Sequence, residues 1–491
     1  MKFIFNKTHL VFLALLMLSL YVDGQDKKPN FLIIYVDDLG YNDLGCYGAK
    51  DTAIKSPNID RMAAEGIRFT NWTSACSTCA PSRAALLTGR YPNRCGLPVG
   101  NNGSKVFGDN FDSNMGLQQS EITIPEILKP LGYMTAMYGK AHLGADVKFY
   151  PLRHGFDEYY GSLFNFPIGG TNPVLEGDSI VEPAMKYQDI HIKLTNRTID
   201  FMKKSQEADR PFFIYLSHYL CHGPWDPNRK FATDEEWEVY QNQPIKGHLK
   251  DGGDKIYPVL VREFDWHVGE VLKALKELDI DKNTLVVLVS DNGPWLPAGS
   301  AWPLSGGKFN TFEGGHRVPS IARWPDKIPA EQVSDALCST MDYFPTIAHL
   351  AGARLSGNRK IDGMNIWPIL KGDKNTSEHD ILYYYNGITL EAIRDGNWKL
   401  HLPREPNMKV YWAKGIEGGY QRLDKPTLFN LENDIEEQSD VADRYPDVVE
   451  RLLKEVEKAR EELGDWNRKG ADQKTFLNYS GNPNNPERIK K

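Results

Sequence analysis

The sequence predicts an α/β protein, a doubly wound sheet flanked by helices and followed by a smaller α+β domain. Three observations carry this reading. Continuous apolar, β-rich runs recur through the first part of the chain, amphipathic helical stretches lie between them, and the pattern changes after about residue 370. A length of 491 residues suggests two domains. The 41% apolar and 25% charged content is that of a soluble globular protein.

The elements follow in chain order. Residues 31–36 (FLIIYV) lack the alternation of a half-exposed strand, which marks a strand covered on both faces, as in parallel sheets. Similar runs stand at 133–138, 212–216 and Thr284–Ser290. Apolar residues at three- and four-residue spacings mark helices at 58–65, 122–128 and 261–278. Alternating strands and helices place a functional site at the carboxyl ends of the strands. Further on, 372–376 (GDKNT) reads as a loop, 381–385, 391–394 and 398–400 as short strands, and Pro446–Leu463 as a final helix stopped by Gly464. The polar tail after Lys469 reads as loose. There is no internal repeat of solenoid period.

Residues 1–24 read as an export signal: Lys2 and Lys7 precede Leu10 to Val22, apolar apart from Ser19 and Tyr21. That run falls short of the roughly 20 residues that cross a bilayer, although a buried amino-terminal helix is an alternative. No later segment is apolar enough to span a membrane, so no membrane attachment is expected after cleavage. The expected location is periplasmic or secreted in a bacterium, and lysosomal in a eukaryote. Sequons at Asn71, Asn102, Asn196, Asn375 and Asn478 permit glycosylation. The net charge of −7 argues against a surface built wholly for polyanions, so no nucleic-acid partner is expected. An anionic substrate would need a local basic pocket. The six cysteines (Cys46, Cys76, Cys79, Cys95, Cys221, Cys338) are too few for a disulfide scaffold. Cys76 and Cys79 form an isolated CxxC, which also fits a redox dithiol or a disulfide.

Two predicted strands end in acids. The first runs into Asp37, Asp38, Leu39 and Gly40, and Thr284–Ser290 runs into Asp291, Asn292 and Gly293. At one edge of a parallel sheet these side chains could converge. Three carboxylates and an amide suit a hard divalent cation, Ca²⁺ or Mg²⁺, and suit Zn²⁺ poorly. Taken singly, the same motifs read as caps and turns.

Residues 76–90 (CSTCAPSRAALLTGR) are the most informative stretch. Pro81, followed by good helix formers, reads as a helix start. Cys79 is then at or just before the N-cap, where free N–H groups lower a thiol pKa and favour a bound anion. Arg83, one turn on, points back to the same place. A reactive thiol and a buried structural cysteine both fit.

C-A-P-S-R at 79–83 with L-L-T-G-R at 86–90 resembles the signature of the type I, formylglycine-dependent sulfatases, matching it at every position. Further blocks are similar: 37–48; 139–144 (GKAHLG), where Ala141 replaces the usual Trp; 153–157 (RHGFD); 313–319 (EGGHRVP); and 428–438. The likeness is greatest to the branch with arylsulfatase A and N-acetylgalactosamine-6-sulfatase. It implies an alkaline-phosphatase-like fold, a large mixed sheet flanked by helices. Residues 25–370 are then the catalytic sulfatase domain and 371–491 a C-terminal α+β subdomain.

The resemblance also implies a chemistry. Cys79 is converted to formylglycine (3-oxoalanine) by a formylglycine-generating maturation enzyme. Asp37, Asp38, Asp291, Asn292 and the group at position 79 hold one ion, Ca²⁺ or Mg²⁺. The hydrated aldehyde, a geminal diol, attacks sulfur with one hydroxyl and expels sulfate with the help of the other. Arg83 holds the diol, Asp291 takes the attacking proton, and Lys140 and Lys308 clamp sulfate, though an exposed surface lysine is the usual fate of Lys. His142 helps to deprotonate the second hydroxyl. His222 protonates the leaving alcohol and suits that task with a pKa near 7. His218, four residues away, is its rival, and Cys221 replaces the frequent Pro before the catalytic histidine. The expected reaction is removal of sulfate from a sulfated carbohydrate, a polysaccharide or glycosaminoglycan fragment. The loop from Asn101 and Asn102 to Met115, with Trp225, Trp295 and Trp302, supplies candidate sugar contacts. Two alternatives are a phosphatase or phosphonate hydrolase of the same superfamily, which typically uses Ser or Thr and two zinc ions, and a sulfoglycan-binding pseudoenzyme.

Overall fold

A computed structural model describes residues 27–99, 116–167, 170–243, 253–296, 298–404 and 423–474. The export segment 1–24, the loop from Asn101 to Met115 and Asn478 lie outside these. Among the described residues no helix is long and apolar enough to cross a membrane.

The strands are β1 (Asn30–Val36), β2 (Ile67–Phe69), β3 (Trp72–Thr73), β4 (Met134–Gly139), β5 (Glu158–Gly161), β6 (Thr171–Glu176), β7 (Ser179–Lys186), β8 (Phe212–Ser217), β9 (Thr284–Ser290), β10 (Ser320–Arg323), β11 (Gln332–Ser334), β12 (Cys338–Ser339), β13 (Leu382–Asn386), β14 (Thr389–Asp395), β15 (Trp398–His401) and β16 (Thr427–Asn430). Among the described residues ten form one sheet in the order β11-β2-β10-β9-β1-β8-β4-β5-β6-β7. Its centre, β9-β1-β8-β4-β5, is parallel. Antiparallel pairing of β10 with β9 and of β6 with β5 and β7 makes the whole sheet mixed.

The helices used below are α1 (Pro57–Ala64), α2 (Cys79–Thr88), α3 (Tyr187–Glu207), α4 (Gly253–Glu277), α5 (Tyr343–Ala351) and α6 (Pro446–Leu463). Alternate residues of β1 serve two cores. Leu32, Ile34 and Val36 pack with apolar residues of α1, α3 and α4. Phe31, Ile33 and Tyr35 pack with those of α2 and α5. This double burial is why the strand reads as an unbroken apolar run.

The expected elements lie within a residue or two of the observed ones, except at α4. It starts at Gly253, ahead of the expected 261, and carries Pro258 inside it. A proline ordinarily interrupts a helical pattern, so the sequence hides the first two turns. Strands β6 and β7 were not expected; they form an edge hairpin with much of both strands exposed, and so lack the apolar signal. The C-terminal unit is the antiparallel sheet β13-β14-β15-β16, against which α6 buries Leu452, Val456, Ala459 and Leu463.

Burial has a cost measurable by titration. His154, fully buried, is pushed from 6.5 to about 4 by loss of solvent. The unfolded chain binds that proton at the higher value, so this residue's contribution to stability is lost as pH falls from 6.5 towards 4. His154→Gln lacks the effect. The stability gap between wild type and His154→Gln should therefore narrow by about 2 kcal/mol from pH 7 to pH 5, read by urea unfolding. A gap independent of pH contradicts the assignment.

Candidate active site

The carboxyl ends of β9, β1, β8 and β4 lie side by side, and each delivers part of one cluster. Asp37 and Asp38 follow β1, Asp291 and Asn292 follow β9, Lys140 follows β4, and the turn to His222 follows β8. Backbone bonds tie these tips together: Asp37 N to Leu220 O (3.1 Å), Cys221 N to Asp37 O (2.8 Å), Asp291 N to Val36 O (3.0 Å) and Lys140 N to Ser217 O (2.9 Å). Gly139 has φ +112°, and a Cβ there would lie 1.8 Å from Ser217 O, so only glycine lets β4 turn into Lys140. Asp38 (φ 60°) and His142 (φ 52°) adopt the left-handed conformation, a strain that concentrates at functional sites.

Helix α2 brings Cys79 in from the other side. It begins at Cys79 with Thr78, in extended conformation, as its N-cap, two residues before the expected start at Pro81. Pro81 still lies in the first turn, where its missing N–H costs no helical bond. Cys79 is thus the first helical residue. A Cys79 ligand atom, its Sγ, lies within 4.8 Å of carboxylate oxygens of Asp37 and Asp291. The thiol is not activated. Burial pushes it up, and Lys140 and Lys308 only partly oppose this, so the expected lowering by the helix end does not prevail.

Three cations meet three carboxylates. Arg83 Nη2 donates to Asp291 Oδ2 (2.7 Å) and lies 3.5 Å from Asp37 Oδ1, while its Nη1 reaches Ser217 Oγ. Lys140 Nζ donates to Asp37 Oδ2 (2.7 Å), and Lys308 Nζ to both oxygens of Asp38 (2.7 Å each). Both lysines are buried, unlike ordinary surface lysines. Burial would raise the Asp37 carboxyl, but Lys140, His222, Arg83 and Lys308 hold it well below the usual range. Asp291 goes the other way, to about 7, through burial and the charge of Asp37.

The histidines divide. His222 Nε2 lies 3.6 Å from Asp38 Oδ2 and 3.0 Å from Asn165 Nδ2. Its Nδ1, 2.6 Å from Gly223 O, must be the donor there, so Nε2 accepts from Asn165. Burial and then Lys308 push His222 to about 4, below the pKa near 7 expected of it. His142 is fully buried and is held well below its ordinary value by burial, Lys140 and Arg83. His218 lies elsewhere, its ring 5.1 Å and 5.3 Å from those of His191 and His267.

The donor set fits a hard divalent ion. Asp37 Oδ1 and Asn292 Oδ1 are buried and accept no hydrogen bond. Together with Asp38 and Asp291 they offer oxygen donors, the preference of Ca²⁺ and Mg²⁺. Asn165, Ser217 and Asp43 escaped the sequence reading as site residues. Asp43 accepts from Gly40 N (2.8 Å), Ser300 N (2.9 Å) and Tyr257 Oη (2.7 Å), fixing the loop after β1. It lies inside the quoted 37–48 block, whereas Asn165 sits in no recognisable motif. Of the tryptophans, Trp225 is a core residue, Trp295 is partly buried against Phe309, and Trp302 is exposed with Lys50 Nζ 3.5 Å from its ring centre.

Comparison with known proteins shows the family of the chain. The family model described as Sulfatase matches residues 29–353, and that described as the C-terminal region of aryl-sulfatase matches 377–486. The N-acetylgalactosamine-6-sulfatase of Canis lupus familiaris is 35% identical, covering 90% of this chain and 87% of its own. The human protein of the same name is 36% identical, covering 84% of this chain and 78% of its own. A crystal structure of Ps i-CgsB in complex with k-i-k-neocarrahexaose superposes with a TM-score of 0.73 at 31% identity, over 88% of this chain and 92% of that one.

Proposed function

Because the chain belongs to the sulfatase family, we propose that it removes sulfate from a sulfated carbohydrate, a polysaccharide or glycosaminoglycan fragment, using formylglycine at position 79. The protein is an enzyme, a sulfatase. The single observation that most supports the mechanism is the meeting of Cys79 with Asp37 and Asp291 inside 4.8 Å. The carbohydrate reading draws on the relatives named for N-acetylgalactosamine 6-sulfate and on the structure holding a neocarrahexaose.

One Ca²⁺ or Mg²⁺ ion, held by Asp37, Asp38, Asp291, Asn292 and the group at position 79, would supply Lewis acidity at the reacting oxygens. A formylglycine at position 79, once hydrated, would supply both a nucleophilic hydroxyl and a second hydroxyl that allows sulfate to leave. The chain's own groups do the rest. Asp291, which accepts a hydrogen bond from Arg83, takes the proton of the attacking hydroxyl. Arg83, bonded to Asp291, orients it and balances the charge of the nucleophile. Lys140 and Lys308 grip the anionic ester. His142, held neutral, receives the second hydroxyl's proton. His222 protonates the leaving alcohol, with Asn165 orienting its ring; the charge of a bound sulfate ester raises its affinity for that proton from about 4.

The same reading has residues 1–24 as an export signal and residue 370 as the boundary between the catalytic domain and the C-terminal subdomain. It requires a maturation enzyme that oxidises Cys79. Two measurements test it together. Co-expressed material should yield a tryptic peptide containing Cys79 about 18 Da lighter than the thiol form, and a screen of defined sulfated sugars should release sulfate. An unmodified thiol in fully active protein, or no release from any sugar, refutes it.

A further inference from the structure

We propose that the protein carries a second, structural metal site of the zinc class, formed by His191, Glu263 and His267 between α3 and α4. It lies outside the acidic cluster that binds substrate and is independent of the catalytic reading.

Glu263 and His267 are four residues apart on α4, so their side chains share one helix face. His191 approaches from α3. All three are buried, with exposures of 1%, 3% and 0% for Glu263, His267 and His191. A ligand atom from each lies within 4.8 Å of the others. His191 Nδ1 is 3.2 Å and His267 Nε2 3.8 Å from the same oxygen, Glu263 Oε1. Ligands at about 2.0–2.1 Å around a tetrahedral zinc are about 3.3 Å apart, so the two separations bracket that edge. The longer one exceeds a direct hydrogen bond.

The surroundings set the protonation that a ligand needs. Thr195 Oγ1 donates to His191 O (3.3 Å) and is 2.7 Å from His267 Nδ1. In the metal-bound form the Thr195 hydroxyl would accept from Nδ1–H while donating to His191 O, which leaves the lone pair of His267 on Nε2, the nitrogen that faces Glu263. An outer hydrogen bond that fixes the tautomer is the usual companion of a metal-binding histidine.

His218 is not a ligand. Its Nδ1 accepts from Leu220 N (3.2 Å), which leaves the proton on Nε2, and its ring packs on those of His191 and His267. Two imidazoles and one carboxylate are a zinc-type set, unlike the all-oxygen set at Asp37. The burial and the helix-to-helix position suit a clamp holding α3 on α4.

The test is metal content. The full-length enzyme, given zinc chloride in calcium-containing buffer and then gel-filtered, should retain about one zinc per chain by mass spectrometry. His267→Gln should retain at least about tenfold less zinc with unchanged calcium. Thr195→Val keeps every ligand and releases the tautomer; it should weaken zinc binding about 10- to 100-fold, and it decides the matter if His267→Gln fails to fold. Zinc-edge absorption should show nitrogen and oxygen neighbours only. Wild-type protein that retains no zinc, either variant binding as well as wild type, or sulfur in the zinc shell overturns the proposal.

Discussion

Cys79→Ser is expected to stall after a single chemical event, lowering steady-state sulfate release by about 10⁴-fold or more. The serine hydroxyl occupies the same first position of α2, among Asp37, Asp291, Arg83 and Lys140. It can attack sulfur, but it lacks the second hydroxyl whose deprotonation breaks the enzyme–sulfate bond. The product is a stable sulfate ester. Rapid mixing with a chromogenic sulfate ester should therefore give a burst of about one alcohol per chain, followed by almost nothing, with intact mass higher by about 80 Da. Cys79→Ala should show neither burst nor mass gain. Sustained sulfate release by the serine variant near the wild-type rate would remove the need for an aldehyde and defeat the mechanism.

The largest loss of stability is expected away from the chemistry, at Glu313. Its buried carboxylate accepts from Arg394 Nη1 (2.8 Å), Lys399 Nζ (2.9 Å) and Tyr384 Oη (3.0 Å), all from the C-terminal sheet. Burial would raise it, yet Lys399, Arg394 and Arg317 hold it well below the usual range. Its neighbour Glu437 is pushed up to about 7, chiefly by burial and the charge of Glu313, against the pull of Lys399. Glu313→Ala strands two buried cations and should cost about 3–5 kcal/mol in urea unfolding. Glu437→Gln, which removes a carboxyl already half protonated near neutrality, should cost clearly less. A Glu313→Ala protein within about 1 kcal/mol of wild type would show that the seam between the two sheets does not depend on this pairing.

Much of the site was legible because its residues stand where sequence patterns are strongest. Asp37, Asp38, Asp291 and Asn292 directly follow doubly buried strands, and Cys79 opens a helix within a dense motif. Parallel order then brings these ends to one edge, which is a property of the fold class. The pairing of His222 with Asn165 could not be read, because it joins distant loops without a shared pattern. Nor could the state of the thiol: helix position predicts activation, while burial, a tertiary quantity, dominates in the other direction. The choice between His218 and His222 as neighbour of the acids rested on a motif, and geometry places only His222 beside Asp38. The network at Glu313 lay inside a quoted block, but its partners come from a sheet over seventy residues further on, beyond the reach of local patterns.

Every residue of α2 is buried, Cys79 to Thr88 alike, and Phe344 presses against the turn at Gly89 that ends the helix. On the formylglycine reading this sets a deadline. A protein catalyst that oxidises Cys79 would have to meet the segment while it is still an exposed peptide, because among the described residues Cys79 is buried. A chain that folds first would keep its thiol.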